Sequence, residues 1–226
     1  MLGNDVVDLR DVDARSKTFR QRFDERVFSA EERLAIVHDS DSHARRWAHW
    51  AAKEAAYKLA RQIDSTFMFA PSRLIAHFSP VAIRRGDGFE RRGTLVFERP
   101  SIKQGFPLIA LPKVELRSFE TSERIHLVAA PETVDWRTID FAVQRMEPGE
   151  QDSSIAVRRM VMDDLAGRLG VSAKRLSIGR RGRIPTVLLD DAEIDAPLSL
   201  SHHGAWIGYA FQLEIKAGVP ARIGMA

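Results

Sequence analysis

The chain has 226 residues, 44% of them hydrophobic and 29% charged, an ordinary globular composition long enough for one large domain or two small ones. It contains no cysteine, which excludes disulfides, thiolate metal sites and cysteine nucleophiles and leaves oxygen or histidine to hold any metal. Net charge is +3 from 34 basic and 31 acidic residues, the balance of a mixed solvated surface, so a polycation that coats nucleic acid is disfavoured. The first residues carry acid and no apolar signal core, and no stretch approaches the roughly 18 apolar residues of a membrane span, so a soluble cytoplasmic protein is expected.

Residues 2–9 read as a short strand. Alternation puts Asp5 and Val7 on one face and Asn4, Val6 and Asp8 on the other. An aspartate among valines is costly to bury alone, so Asp5 calls for a cation, a metal or the end of the strand. Residues 29–37 read as a helix opened by the capping-box pair Ser29 and Glu32. Residues 42–62 give the clearest helix, alanine-rich and free of glycine and proline. On it Trp47, Trp50, Glu54 and Lys58 share one stripe, and Glu54 can pair with Lys58 either on an exposed surface or in a partly buried site.

From 66 to 131 the alternating segments TLVFE and IHLVAA, broken by glycine and proline, predict antiparallel strands. Residues 132–150 read as a connection, and 153–169 as a helix ending near Gly170. GRRGRIPTV then reads as a turn into a strand, and PLSLSHHGAWIGYAFQ as two strands about a polar turn. Ser201, His202 and neighbouring N–H groups can hold a phosphate. A hydrolase built on Ser201 and His202 is disfavoured, because adjacent strand residues face opposite ways and no G-x-S-x-G elbow is present. This order of elements predicts an α+β fold in two similar halves, with domains over 1–135 and 136–226. Hard carboxylates with lysine, arginine and histidine suit Mg²⁺-assisted chemistry at a phosphate.

Several segments together resemble the 4′-phosphopantetheinyl transferase superfamily. GNDVVDL is similar to the family's G-x-D opening, and RVFSAEE to the segment that follows it in the short holo-acyl-carrier-protein synthase branch. WAAKEAAYK matches the W/F-x-x-K-E-x-x-x-K helix. LSLSHHGAW and the upstream GRRGRIPTV resemble the S-H-S-G-x-W and G-K-P segments of the long, surfactin-synthetase-activating branch. The motif order is that of the short branch and the length that of the long one. The resemblance therefore implies a pseudo-dimeric chain, its two α/β halves related by a pseudo-twofold, circularly permuted, with the strand ending near Phe211 close in space to the one starting near Leu2. The other description is a short-branch enzyme with a large insertion.

The resemblance implies transfer of phosphopantetheine from coenzyme A to a serine of an apo acyl or peptidyl carrier protein, releasing 3′,5′-ADP, in fatty-acid, polyketide or nonribosomal peptide synthesis. It implies Mg²⁺ on Asp5 and Glu54, with Glu54 also serving as or positioning the base and Lys58 offsetting charge on the leaving group. Coenzyme A would meet Ser201, His202, Gly182, Arg183, Pro185, Arg158, Arg159 and, through the K-E motif, Lys53. Arg20, Arg22 and Arg26 are the expected edge for an acidic carrier. Val7 stands where the long branch often has a second carboxylate, a departure that keeps open a non-catalytic coenzyme A or carrier-protein binding module of the same fold.

Overall fold

The computed structural model describes residues 1–15, 21–98 and 112–213. Its first element is strand β1 (Gly3–Asp8), followed by the short helices α1 (Val12–Arg15) and α2 (Gln21–Val27). Helix α3 (Ala30–His38) opens on the expected capping box: Glu32 N donates to the Ser29 hydroxyl at 3.2 Å and Ser29 N to Glu32 Oε2 at 2.8 Å. Helix α4 (Ser42–Ile63) starts where Asp41 accepts from Ala44 N. Its alanines serve packing as well as helix propensity. Ala48, Ala51, Ala52, Ala55 and Ala56 are all fully buried, so the helix lies close on a sheet.

That sheet is antiparallel and five-stranded. It joins β1 to β2 (Leu74–Arg85), β3 (Gly88–Phe97), β4 (Val114–Glu120) and β5 (Arg124–Pro131) in the order β1-β5-β4-β3-β2. Asp5 pairs with Leu127 and Val7 with Ile125, and Val7, Leu116, Ile125, Leu127 and Ala129 form the core beneath α4. The face carrying Asp5 is thus the helix face. Asn4, Val6 and Asp8 turn the other way, as alternation requires.

Residues 132–150 are more than a connection. They contain β6 (Ile139–Arg145), which pairs with the last strand, β11 (Trp206–Gln212), Asp140 opposite Phe211. Ile139, Phe141 and Val143 alternate with Asp140, Ala142 and Gln144, a period-2 strand pattern that the ladder to β11 completes. Helix α5 (Ser153–Leu169) begins at Asp152, which accepts from Ser154 N and Ile155 N. Strands β7 (Leu176–Arg181), β8 (Ile184–Leu189) and β9 (Ala192–Ile194) form a small sheet. Strand β10 (Leu198–His203) completes a third sheet in the order β10-β11-β6.

The fold is α+β. β1, α4, β4 and β5 give the sheet order β1-β5-β4, which β3 and β2 extend; β6, α5, β10 and β11 give β6-β11-β10, with β7, β8 and β9 in a sheet of their own. Val157, Val161 and Leu165 pack on Leu198, Ile207, Tyr209 and Phe211 in the second core. Leu2, Val128, Ala130, Ile139 and Ala210 fill the seam between the sheets. β1 runs beside β10 and β11, and the Met1 amine donates to Gln212 Oε1 at 3.2 Å, so the strand that ends at Gln212 neighbours the one that begins at Gly3. No described helix is long and apolar enough to cross a membrane.

Candidate active site between the first strand and the long helix

Backbone contact between β1 and α4 builds the site. A Cβ placed on Gly3 would overlap the Ala55 carbonyl, 2.8 Å from its carbon, and would lie 3.1 Å from Leu59 N. Glycine is required there because the strand touches the helix backbone. Two residues along, Asp5 meets α4 one turn from this contact. Lys58 Nζ donates to Asp5 Oδ1 at 2.8 Å and to the Asn4 carbonyl at 2.9 Å. Glu54, one turn earlier on the same helix stripe, completes the group.

Burial pushes the Glu54 carboxyl up from 4.5 to about 7; the Asp5 charge raises it further and Lys58 opposes the rise. Asp5 and Glu54 therefore stand close enough to repel, with one cation between two potential anions. Among the described residues the Glu54 carboxyl accepts no hydrogen bond. This is a donor set that a hard cation fits, since two oxygen ligands would lose their repulsion and Glu54 would gain a partner. No group of three or more histidines and carboxylates gathers among the described residues. Two carboxylate ligands alone would leave a hard cation room for further oxygen ligands such as water. Val7 is 2% exposed in the core beneath α4, so β1 offers no second carboxylate on this face.

Lys53, expected beside coenzyme A, is instead fully buried. Its ammonium donates to Glu32 Oε2 at 2.8 Å, to the Pro71 carbonyl at 3.0 Å and to the Leu74 carbonyl, which uses all three protons. About 100° around the helix from Glu54, it points into the protein and ties α4 to α3 and to the start of β2. Glu32 is more than a cap. Its Oε1 accepts from Ala76 N at 3.0 Å and lies 3.4 Å from His49 Nδ1. These partners lower its pKa against the opposing effect of burial.

In the second half the Ser201 hydroxyl, expected at a phosphate, is also turned inward, 4% exposed. It accepts from Asn4 Nδ2 at 2.8 Å and donates to the Gly208 carbonyl at 3.3 Å. His202 is exposed beside it. His203 Nδ1 accepts from Asp8 N at 3.0 Å. Asp8, on the face of β1 opposite Asp5 as expected, grips the β10–β11 turn by accepting from Ala205 N at 2.9 Å. Gly182 and Arg183 are exposed in the β7–β8 turn, Pro185 is half-buried behind them, and β8 packs against β10. Arg158 folds back on Ser154, and Arg159 pairs with Glu150 at 3.1 Å. Arg22 and Arg26 are exposed on α2, whereas Arg20 lies outside the described residues.

Sequence reading passed over Asn4 and His126. The signal for Asn4 was its place on the inward face of β1, where alternation demands an apolar residue or a polar one with partners. His126 on β5 is fully buried, and its Nε2 lies 3.2 Å from Asn4 Nδ2. Burial, with Arg124 and Lys58 adding, pushes its pKa down to about 3, so the ring is neutral and Nε2 accepts from Asn4.

The second half carries a counterpart of the first cluster. Asp140 on β6 takes the Arg168 guanidinium at 2.6 Å, as Asp5 takes Lys58, and Asp164 precedes Arg168 by four residues as Glu54 precedes Lys58. There, however, the helix carboxylate already has a partner, because the Tyr209 hydroxyl donates to Asp164. A search of curated proteins finds none that matches the chain. Residues 1–76, which run from β1 through α4 and include Asp5, Glu54 and Lys58, match the family model of the 4′-phosphopantetheinyl transferase superfamily.

Proposed function

We propose that the protein moves the 4′-phosphopantetheine arm of coenzyme A onto a serine hydroxyl of an apo carrier protein, releasing 3′,5′-ADP, with Mg²⁺ on Asp5 and Glu54. The observation that carries this reading is the convergence of Asp5, Glu54 and Lys58, with the Glu54 carboxyl held near neutrality and unpartnered. The superfamily match over the same residues supports it.

In this reading Asp5 and Glu54 present the two carboxylates, and bound Mg²⁺ supplies charge neutralisation at the pyrophosphate. The serine oxygen forms the new bond to the β-phosphorus, and the bond from that phosphorus to the bridging oxygen breaks. Glu54 receives the serine proton through its remaining oxygen or a water it orients. Lys58, anchored by Asp5 and the Asn4 carbonyl, stands against the negative charge that develops on the departing 3′,5′-ADP. His202, Gly182, Arg183 and Pro185 form the coenzyme A edge in the second half, with Arg158 and Arg159 reaching a phosphate after leaving their present partners. Arg22 and Arg26, with Arg20, form the edge for an acidic carrier.

Intact-mass analysis of an apo acyl carrier protein with coenzyme A and Mg²⁺ tests the reading. The expected outcome is a gain of one phosphopantetheine that disappears with Glu54→Ala and without metal. Coenzyme A binding with no transfer to several unrelated carriers would favour a binding module of the same fold.

A further inference from the structure

Asn4 joins β10, β5 and the candidate site through one residue, beside the Asp8 contacts at the far end of β1. Its side chain is on the face of β1 away from α4, is fully buried, and reaches Ser201 Oγ on β10 at 2.8 Å and His126 Nε2 on β5 at 3.2 Å. Its backbone N donates to Ser199 Oγ, also on β10, at 2.9 Å. Its carbonyl takes the Lys58 ammonium at 2.9 Å, the same ammonium that holds Asp5. One residue thus carries three bonds to the seam on one side and one bond to the candidate site on the other. An apolar side chain would fill this buried position without needing partners, and the Asn4 Oδ1 atom still has none. What the amide adds is fixed direction: its bond to Ser201 sets β1 against β10, and its bond to His126 sets it against β5.

We propose that Ser201 and Ser199 are positioning residues, which lock Asn4 and through it set Asp5 and Lys58 for the metal and phosphate. This rests on the reading above and deepens it, assigning the hydroxyls of the second half to alignment of the first-half site rather than to direct contact with coenzyme A. The chain of contacts is short. Ser201 holds the Asn4 side chain, the Asn4 carbonyl holds Lys58, and Lys58 holds Asp5. Loss of such supporting bonds around metal ligands costs about 10–100-fold in metal affinity or activity.

The test compares wild type with Ser201→Ala, Ser201→Thr and Ser199→Ala, each checked for folding by a thermal melt. Three quantities are measured: Mn²⁺ affinity by the paramagnetic signal of the free ion, metal-free coenzyme A affinity by calorimetry, and transfer kinetics. Ser201→Ala is expected to weaken Mn²⁺ binding and lower kcat by about 10-fold, leave metal-free coenzyme A affinity within about 2-fold, and be rescued by Ser201→Thr. Ser199→Ala, which removes a single bond, follows in the same direction and carries the test if Ser201→Ala does not fold. Weakened coenzyme A binding with Mn²⁺ affinity intact would make Ser201 a direct ligand and overturn the proposal, as would no change in either. A wild-type protein that binds neither Mn²⁺ nor coenzyme A would overturn the site reading itself, and the proposal with it.

Discussion

Gly3 and Ala55 meet backbone to backbone: a Cβ on Gly3 would lie 2.8 Å from the Ala55 carbonyl carbon. The contact sets how far the first strand sits from the long helix, and therefore whether a carboxylate on one can share a cation with a carboxylate on the other. Gly3→Ala should force β1 off α4. A destabilisation of about 3 kcal/mol is expected, at the upper end for overpacking because the obstacle is backbone. In protein that remains folded, Mn²⁺ affinity should fall with it; a melt and a metal titration on one sample check both.

The raised Glu54 pKa gives a pH dependence with a definite sign. In the metal-free fold the carboxyl titrates at about 7 instead of 4.5, so folding favours its protonated form. Its stabilising contribution is present below the ordinary value and is lost as pH rises through the window from 4.5 to about 7. Glu54→Gln stays neutral throughout. Without metal it should gain on wild type between pH 5 and pH 8 by about 1–2 kcal/mol, a figure reduced for partial solvent exposure. Denaturant melts of the two proteins at both pH values decide it, and added Mg²⁺ should erase the gain.

Metal binding should release a proton below neutrality. A cation needs Glu54 ionised, and at pH 6 the carboxyl is largely protonated. Titration calorimetry of Mn²⁺ in buffers of different ionisation enthalpy should show release of nearly one proton at pH 6 and almost none at pH 8.5.

Lys53→Met should cost stability without costing coenzyme A affinity. It leaves the Glu32 carboxylate buried and strips one cation from it, with His49 the remaining side-chain neighbour. Breaking one side of a buried pair costs about 3 kcal/mol or more. Coenzyme A binding by the folded fraction should match wild type, as a lysine with all three protons spent inside the protein requires.

The two carboxylate clusters should differ in what their cations do for turnover. Arg168→Met strands Asp140 beside Asp164, whose carboxyl burial and neighbouring acids already push up. A loss of about 1–2 kcal/mol is expected, with turnover retained. Lys58→Met likewise strands Asp5 beside Glu54, so a similar loss of stability is expected, but transfer should fall by about two orders of magnitude. Melts and kinetics of both variants form the comparison.

The sequence by itself determined the elements with strong local signals. Ser29 and Glu32 marked the start of α3, the alanine run marked α4, and GNDVVD set Asp5 on one face of a strand and Asn4 and Asp8 on the other. Local rules suffice there because capping, helix propensity and strand alternation act within a few residues. Asp5, Glu54 and Lys58 were singled out by their spacing and the resemblance it carried, and the fold brings them together.

Tertiary structure alone decided what the polar residues do. β6 has its pairing partner in β11, 60 residues and more away in sequence. Lys53 looked like a ligand and became a buried tie, because only the packing of α3 and residues 71–74 supplies its three acceptors. The Ser201 hydroxyl, expected at a phosphate, accepts from Asn4, 197 residues earlier in the chain. A hydrogen-bonding side chain takes whatever partner the fold brings within about 3 Å, and sequence spacing does not encode that distance.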